Sequence, residues 1–270
     1  MGTINAALNG VFDAIFLGLG LMPAILGLFI VSVAFGILAL LVFGKVSNQA
    51  GIRRAKDKIQ CNLFLIRLYK DELGITFRAM SRVFVQLFPY LGHNVMPVFV
   101  LIVPFFVVCA QLNAHYGYSA LLPGDRPVVT IGLAEGTDLS TVEIVPGDGV
   151  VLDSRLVRIP SRNEVSARLR IEKQGEPVIT VNADGESIEK KVNARSGVHR
   201  VSHLRSANWV DLLLYPGEAA LPGTTVEWVS VDTPLATMAF LGLDLHWIIW
   251  FLILSMVAAF ALKGVFGVEI

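Results

Sequence analysis

Charged residues are scarce in this sequence. Lys, Arg, Asp and Glu make up 16% of its 270 residues, whereas a soluble globular domain carries about 25%. Hydrophobic residues make up 54%. This composition excludes a disordered chain, a coiled-coil rod and an ordinary cytosolic enzyme. It predicts a membrane protein with a soluble part.

An excess of one charge sign is also lacking, because 22 basic residues balance 22 acidic ones. A neutral chain gives little support to nucleic-acid binding, so we predict no DNA partner. The balance hides an asymmetry along the chain. Residues 45–88 hold nine Lys and Arg against three acids, and residues 113–236 hold twelve against sixteen.

Cysteine is rare: Cys61 lies in the basic segment and Cys109 in an apolar run. The two should lie at different depths, so we expect no disulfide between them. Residues 113–236 contain no cysteine. That region must therefore be stabilised by a hydrophobic core of its own.

Sequence motifs of catalysis are absent. The chain has no phosphate-binding loop, dinucleotide fingerprint, metalloprotease helix or nucleophile elbow. His199 and His203 lie in a strand-rich region, where a spacing of four places side chains about 13 Å apart. We therefore expect them to be solvated or hydrogen-bonded, and His246 to be an interfacial residue. We predict that the protein is not an enzyme and has no catalytic, cofactor-binding or metal-binding residues.

Three long stretches without charge predict membrane spans: residues 14–44, 83–124 and 245–262. A spanning helix needs about 20 apolar residues, so the first stretch is too long for one straight helix. Its Gly18, Gly20 and Pro23 should break it. We expect an amphipathic surface helix over Ile4–Leu17 and a span from about Ala24 to Phe43. One tilted span starting near Ala14 is the alternative.

The charges that flank the spans predict their orientation. The first thirteen residues carry no Lys or Arg, which disfavours a cleaved signal peptide. Positive charge follows the first span instead, and positive loops stay in the cytoplasm. The second span, about Val95–Leu112, should be kinked at Pro97 and Pro104, and the third is about Leu245–Leu262. We expect an interfacial aromatic belt formed by Tyr116, Tyr118, Trp247 and Trp250.

The predicted fold is a membrane α-helical protein with three transmembrane helices, N-out and C-in, a cytoplasmic helical hairpin and an extracytoplasmic all-β immunoglobulin-like sandwich. The expected location is a bacterial inner (plasma) membrane. The predicted domains are an interfacial amphipathic helix and bend (1–23), transmembrane helix 1 (24–44), a basic helical hairpin (45–94), transmembrane helix 2 (95–112), the extracytoplasmic β domain (113–236), and transmembrane helix 3 with a short cytoplasmic tail (237–270).

Two helical patterns make up the cytoplasmic hairpin. Ile52, Ile59, Ile66 and Leu73 are spaced by seven, which predicts a helix with one apolar edge that ends at Gly74. A second pattern follows and ends at Pro89. The apolar edges either simply pack on each other, or the helices also present a basic face that binds anionic lipid headgroups or the ribosome. That face consists of Arg53, Arg54, Lys56, Lys58, Arg67 and Lys70.

In residues 113–236 the hydrophobic pattern changes to a period of two, as in Glu164–Glu172. Val178–Val181 and Glu186–Val192 are joined by a turn sequence that predicts a hairpin. About eight short strands separated by Gly and Pro are typical of an immunoglobulin-like sandwich. The remaining predicted strands are Val128–Leu133, Thr141–Val145, Val150–Asp153, Leu156–Ile159, Val210–Leu214 and Thr225–Val231.

The order of parts over about residues 5–112 resembles the core of the YidC/Oxa/Alb family of membrane protein insertases. Phe35-Gly36-Ile37, then Lys45, then the segment 55–60 resemble the end of that family's first core span and the start of its hairpin. Leu68-Tyr69-Lys70 resembles the close of the hairpin. The family places an arginine near the middle of the first core span, where this chain has Phe35. The β domain between the second and third spans implies an independently acquired module.

The resemblance implies a non-catalytic insertase or chaperone-like factor that assists insertion or assembly of membrane proteins. The spans would form a shallow groove that locally thins the bilayer, and the hairpin would receive nascent or unassembled membrane proteins or the ribosome. The expected client-facing residues are Ser32, Phe35, Cys109 and Gln111. The alternative is a structural or adaptor subunit of an envelope complex whose β domain binds a partner protein. An enzyme or a transporter is a third class.

Overall fold

A computed structural model describes residues 2–20 and 22–269, and the side chains of residues 7–20 and 22–269. The chain divides into two compact units, one formed by Met1–Leu28 and Phe106–Trp250 and the other by Phe29–Phe105 and Phe251–Ile270. The helices are α1 (Gly2–Leu19), α2 (Ala24–Val46), α3 (Gln49–Leu68), α4 (Leu73–Tyr116), α5 (Trp209–Leu214) and α6 (Trp247–Leu262). The strands are β1 (Val128–Leu133), β2 (Glu143–Pro146), β3 (Val150–Leu152), β4 (Val157–Ile159), β5 (Glu164–Ile171), β6 (Val178–Ala183), β7 (Glu186–Lys191), β8 (Leu204–Ser206), β9 (Val226–Val231), β10 (Thr237–Phe240) and β11 (Leu243–His246).

Two helices in the described part of the chain are long and apolar enough to cross a bilayer, α2 and α4. The 23 residues of α2 measure about 34 Å and the 44 residues of α4 about 66 Å, at 1.5 Å per residue. The 16 residues of α6 measure only about 24 Å. The third predicted span is therefore the shortest of the three apolar helices.

The chain breaks its helix between Leu19 and Ala24, so one tilted helix across this segment does not form. Pro23 has no backbone N–H for an upstream carbonyl and therefore cannot continue α1. Gly20 lies close to other backbone groups, because a Cβ there would stand 2.9 Å from the Phe16 carbonyl oxygen and 3.3 Å from that of Val198. A larger residue at this position would displace one of these segments.

The predicted helix ends in the hairpin are wrong. α3 ends at Leu68 rather than Gly74, and the Tyr69 N–H caps it by donating to the Leu65 carbonyl. Gly74 lies inside α4, which continues through Pro89, Pro97 and Pro104 to Tyr116. No helix boundary separates residues 94 and 95. A proline inside a helix removes one hydrogen bond and kinks the helix without necessarily ending it.

The strands β1 to β9, between Val128 and Val231, form an antiparallel β domain, as predicted. β3, β5, β1, β9 and β8 are neighbours in one sheet, with β4 also paired to β5, and β2, β6 and β7 form another sheet. Leu169 of the first sheet and Ile179 of the second belong to the same hydrophobic core. Every second residue of β5 is buried, from Val165 to Ile171. The alternating pattern therefore reflects one inward face.

The predicted strand Val210–Leu214 is wrong, because this segment is the helix α5. The Asn208 side chain accepts a hydrogen bond from the Val210 N–H at 3.0 Å, and such an N-cap stabilises a helix start. The predicted strand Thr141–Val145 begins instead with a 3-10 turn over Leu139–Thr141. The sequence prediction missed β8, β10 and β11.

The predicted aromatic belt is largely covered by protein. Tyr116, Trp247 and Trp250 are buried. Tyr116 packs edge-on against Phe16, and the Trp250 indole N–H donates to the Met238 carbonyl at 3.1 Å. Tyr118 stacks on His203 with ring centroids 4.9 Å apart. These aromatic rings therefore stabilise protein contacts instead of facing lipid.

Candidate functional site

One arginine in the β domain joins the first helix to the end of α4. Arg200 Nη2 lies 2.8 Å from Asp13 Oδ1 and donates to the Asn9 carbonyl at 3.1 Å and to Gln111 Oε1 at 3.3 Å. Gln111 Nε2 donates to Asn9 Oδ1 at 2.8 Å. Arg200 Nη1 donates to the Pro216 carbonyl at 2.9 Å. We call Asn9, Asp13, Gln111 and Arg200 the arginine clasp.

The clasp gives a reason for the polar side of α1. Asn9 and Asp13 are one turn apart and meet Arg200, whereas Val11 and Ile15 are exposed. A charged guanidinium and a carboxylate that share hydrogen bonds form one of the stronger polar contacts in proteins. Asn9 and Asp13 therefore contact the β domain, although the Asp13 side chain stays 56% exposed.

Gln111, one of the residues expected to face a client, takes part in the clasp. It is buried, and both ends of its side-chain amide are hydrogen-bonded. Cys109, two residues before it, is partly buried. His115, one turn later, stacks on Phe16 at 3.8 Å, and its Nδ1 is 2.8 Å from the Gln111 carbonyl. The end of α4 is therefore tied closely to α1.

A buried lysine is the second polar cluster of this unit. Lys190 is fully buried, and its ammonium donates to Ser202 Oγ at 2.8 Å and lies 3.0 Å from Glu218 Oε2. The Ser202 hydroxyl donates to the same carboxylate at 2.7 Å, and the other Glu218 oxygen accepts the Lys191 N–H. Burial lowers the pKa of Lys190, and the Glu218 carboxylate opposes that shift. The Lys190 ammonium also donates to the carbonyl oxygens of Lys191 and Ser202, so it is surrounded by acceptors.

Ser32 and Phe35 lie in the other unit, on α2. Ser32 is fully buried. Phe35 packs against Phe251 and Phe105, with ring centroids 5.3 and 6.0 Å apart. A Cβ on Gly36 would lie 2.7 Å from the Ser255 carbonyl, so α2 and α6 approach closely there. The position where the resembled family has an arginine is therefore filled by aromatic contacts.

The C-terminal segment binds part of the predicted basic face. Glu269 Oε2 is 3.1 Å from Lys56 Nζ, and its Oε1 is 3.6 Å from Arg53 Nη2. The Glu269 N–H donates to Gln49 Oε1 at 2.7 Å. The neighbouring ammonium of Lys56 holds the pKa of Glu269 below its ordinary value. The basic residues Arg54, Lys58, Arg67 and Lys70 are exposed.

Apolar side chains of the hairpin are also exposed. Ile52 and Ala55, at the start of α3, are buried, but Phe64 and Leu68 near its end are not. The first half of α4 exposes Leu73, Phe77, Phe84 and Phe88. Apolar side chains near the end of α3 and in the first half of α4 therefore remain uncovered.

His199 and His203 lie in a loop, not in a strand, whereas His246 is the last residue of β11. His199 Nε2 is hydrogen-bonded to Asn193 Oδ1, and His203 stacks on Tyr118. Burial lowers the pKa of both imidazoles. Within residues 2–20 and 22–269, no cluster of three or more His, Cys, Asp and Glu side chains could hold a metal ion.

Sequence reasoning missed the clasp and the buried lysine. Asn9 and Asp13 on one helical face signalled only a polar side of α1, because pairing with Arg200 crosses 187 positions of the chain. Lys190 had a weak signal: it shares the inward register of β7 with Ile188. A lysine at an inward strand position predicts a buried partner.

Comparison with known proteins does not assign a role to either cluster. No protein-family model matches this chain, and a search of curated proteins finds no match.

Proposed function

We propose that this chain is an integral membrane protein that assists insertion or assembly of other membrane proteins. α2, the second half of α4 and α6 are its three spans, with the N-terminus outside and the C-terminus inside. In this proposal the β domain is an extracytoplasmic immunoglobulin-like sandwich and the membrane is a bacterial inner membrane. The observation that carries the proposal is the exposed apolar and basic surface of α3 and the first half of α4.

The length of α4 supports this surface lying outside the bilayer. α4 is about 66 Å long, and the hydrocarbon core of a bilayer is about 30 Å thick. Roughly half of the helix must therefore lie outside the core. The half beginning at Leu73 follows the basic helix α3, and positive segments stay in the cytoplasm.

A surface that combines exposed aromatic and basic side chains suits an unfolded membrane segment. Phe77, Phe84 and Phe88 offer apolar contact area on α4, and Arg67 and Lys70 are exposed close to the turn before it. Contiguous exposed apolar surface marks an interaction site in proteins. Nascent membrane segments carry the matching apolar side chains, and acidic flanks or the ribosome would pair with the basic residues.

The short third span supports a mechanism without a polar groove. At about 24 Å, α6 is shorter than the hydrocarbon core, and a short span is accommodated by local thinning of the bilayer. Thinning lowers the cost of moving a short polar client segment across. Since Phe35 packs against Phe251 and Phe105, the client would cross beside the spans rather than through a charged groove.

Site-specific photo-crosslinking tests the proposal against the adaptor alternative. A photoreactive amino acid replaces Phe77 or Phe84 in one set of variants and the exposed Val157 of β4 in another. We expect several nascent membrane proteins as adducts from the α4 positions and few from Val157. One stable envelope protein, captured from Val157 but not from α4, would support an adaptor and contradict the insertase proposal.

Cysteine labelling tests the topology separately. In a variant lacking Cys61 and Cys109, Arg54→Cys should resist an impermeant thiol reagent in intact cells, and Asp184→Cys should react. Both positions are exposed, so accessibility reports the side of the membrane. The opposite labelling pattern would overturn the proposed orientation.

A further inference from the structure

We propose that α5 is a membrane-contacting helix that inserts its exposed face into the outer leaflet of the bilayer. The inference rests on the proposed orientation of the β domain and goes beyond the proposed function. It assigns a lipid surface to a patch that otherwise resembles a protein-binding site.

The apolar side of α5 faces outward. Trp209 is 58% exposed, and Val210, Leu213 and Leu214 are each about 40% exposed. At about 100° per residue, these four side chains cover an arc of roughly 140°. None of the four carries a charge or a polar group apart from the indole N–H. A surface helix normally turns such a face inward.

The outward orientation is fixed by polar contacts on the opposite side. Asp211 Oδ2 accepts the Ser206 hydroxyl hydrogen bond at 2.8 Å. The Asn208 side chain caps the first turn, and the Tyr215 N–H donates to the Asp211 carbonyl at 2.7 Å at the last turn. The Ser206 bond ties α5 to β8, whereas the other two bonds stabilise the ends of the helix itself. The apolar face of α5 therefore cannot turn toward the core without breaking the Ser206–Asp211 bond.

The connection to the arginine clasp favours lipid over another protein. Pro216, two residues after α5, accepts a hydrogen bond from Arg200, which binds Asp13 of α1. At 3.8 Å per residue, the Cα of Leu214 therefore lies within about 8 Å of that of Pro216, the residue that Arg200 contacts. α1 is the predicted interfacial helix, and Leu17 near its end is 81% exposed. Trp and Leu on a short exposed face are the residue types of interfacial anchors.

The β10–β11 hairpin provides a second apolar edge in the same unit. Leu241 and Leu243 are exposed at its turn. The neighbouring Phe240 packs edge-on against Trp250 in the first turn of α6, with ring centroids 5.1 Å apart. This edge therefore runs beside the start of a proposed span. Exposed apolar residues recur where the chain leaves the β domain for the membrane.

The test uses cysteine labelling of the full chain in phospholipid nanodiscs, in the variant lacking Cys61 and Cys109. Leu213→Cys reports α5, and Val157→Cys is the matched control on an exposed strand. We expect a water-soluble maleimide to label Leu213→Cys at least tenfold more slowly than Val157→Cys. Equal rates would overturn the proposal. Protection in cells but rapid labelling in nanodiscs would also overturn it, because the cover would then be a protein.

Tryptophan fluorescence gives a second readout that does not need a reactive cysteine. The difference between the parent chain and Trp209→Phe isolates the Trp209 emission, and the difference for Trp228→Phe is the control within the sheet. We expect acyl-brominated lipids to quench Trp209 at least twofold and iodide to leave it unchanged. Quenching by iodide alone would contradict insertion. Labelling of Arg54→Cys in cells identifies a failure of the orientation itself, since α5 can fail while that position stays protected.

Discussion

The β domain and the basic hairpin, formed by α3 and the first half of α4, differ in how they bury their apolar residues. In the β domain, Val165, Leu169 and Ile179 are fully buried in one core. In the hairpin, Phe77 and Phe88 are largely exposed although they follow a regular helical pattern. The β domain thus completes its core by itself, whereas these helices leave apolar side chains exposed, and the proposed function assigns that surface to a client.

Polar groups show the same contrast. The β domain buries a charged group, Lys190, beside the carboxylate of Glu218. α2 buries the neutral Ser32, at a position next to aromatic packing. A self-contained core can surround a buried ion with polar partners. Burying a charged side chain inside a membrane span is more costly. Substitutions that destabilise the core of the β domain should therefore not change binding by the hairpin, and substitutions in the hairpin should not destabilise the β domain.

The largest expected effect is the loss of the β domain's core. Leu169→Asp places a charge among buried aliphatic side chains, and the free energy of unfolding should fall by about 4 kcal/mol or more. A soluble piece of residues 124–234 should give a β-type circular dichroism spectrum and a cooperative thermal transition, which Leu169→Asp abolishes. Val157→Asp, on an exposed strand position, is the control and should melt normally. A helical spectrum, or an unchanged transition in Leu169→Asp, would show that the domain does not stabilise itself.

The next effect concerns the buried lysine. Lys190→Met leaves Glu218 without its cation and should lower the free energy of unfolding by about 3–5 kcal/mol. Replacing both partners, with Lys190→Met and Glu218→Leu, removes the uncompensated charge and should recover a large part of that loss. Chemical denaturation of the two single variants and the double variant measures the coupling. Additive losses would mean that the two groups do not stabilise the fold as a pair.

A smaller effect is expected from pH. Burial lowers the pKa of His199 and His203 below the ordinary imidazole value, so the unfolded chain binds protons at a higher pH than the folded chain. Their contribution to stability is complete above about pH 6.5 and decreases as the pH falls through the folded pKa. The melting temperature of the β domain in the full chain should be lower at pH 5 than at pH 7.5.

A matched variant separates the histidines from other titrating groups. His203→Phe keeps a ring against Tyr118 but cannot bind a proton. Its melting temperature should change less between pH 7.5 and pH 5 than that of the parent chain. If the two chains lose stability equally, carboxylates rather than this imidazole cause the dependence.

The sequence was sufficient to predict those strands of the β domain that have a clear alternation of apolar and polar residues. The alternation in Glu164–Glu172 and the hairpin of Val178–Val181 and Glu186–Val192 correspond to β5, β6 and β7 within a residue or two. It failed at Trp209–Leu214, because a six-residue apolar run has no distinguishing period. The capping Asn208 was the signal that could have identified a helix.

The sequence could not predict the contacts that join distant segments. Arg200 meets Asn9, Asp13 and Gln111 only after the chain has folded, and hydrophobic periodicity contains no information on such pairing. Gln111 stands out as a polar residue in an apolar run, but no local pattern indicates its hydrogen bonds to Asn9 and Arg200. The expectation that Pro89 ends a helix was also wrong, since α4 continues through this residue.

The smallest effect on stability, and the sharpest test of the hairpin, comes from its basic residues. Arg53, Arg54, Lys56 and Lys58 become Gln, which keeps helix propensity and removes four charges. The Glu269 contacts with Arg53 and Lys56 are partly exposed ion pairs, so the free energy of unfolding should change by only about 0.5 kcal/mol. Association of the nanodisc-embedded chain with ribosomes or anionic vesicles should weaken several-fold.

Two controls make that measurement specific. Orientation must first be verified by cysteine labelling, because the same residues hold the loop inside. Glu269→Gln removes the internal partner of Arg53 and Lys56 and should strengthen association, in the opposite direction to the quadruple variant. Since charges in water are screened beyond about 8 Å at physiological salt, added salt should weaken binding of the parent chain and reduce both differences. If association is unchanged in the quadruple variant and in Glu269→Gln, the basic face is only solvated, and the exposed aromatic residues alone remain to receive a client.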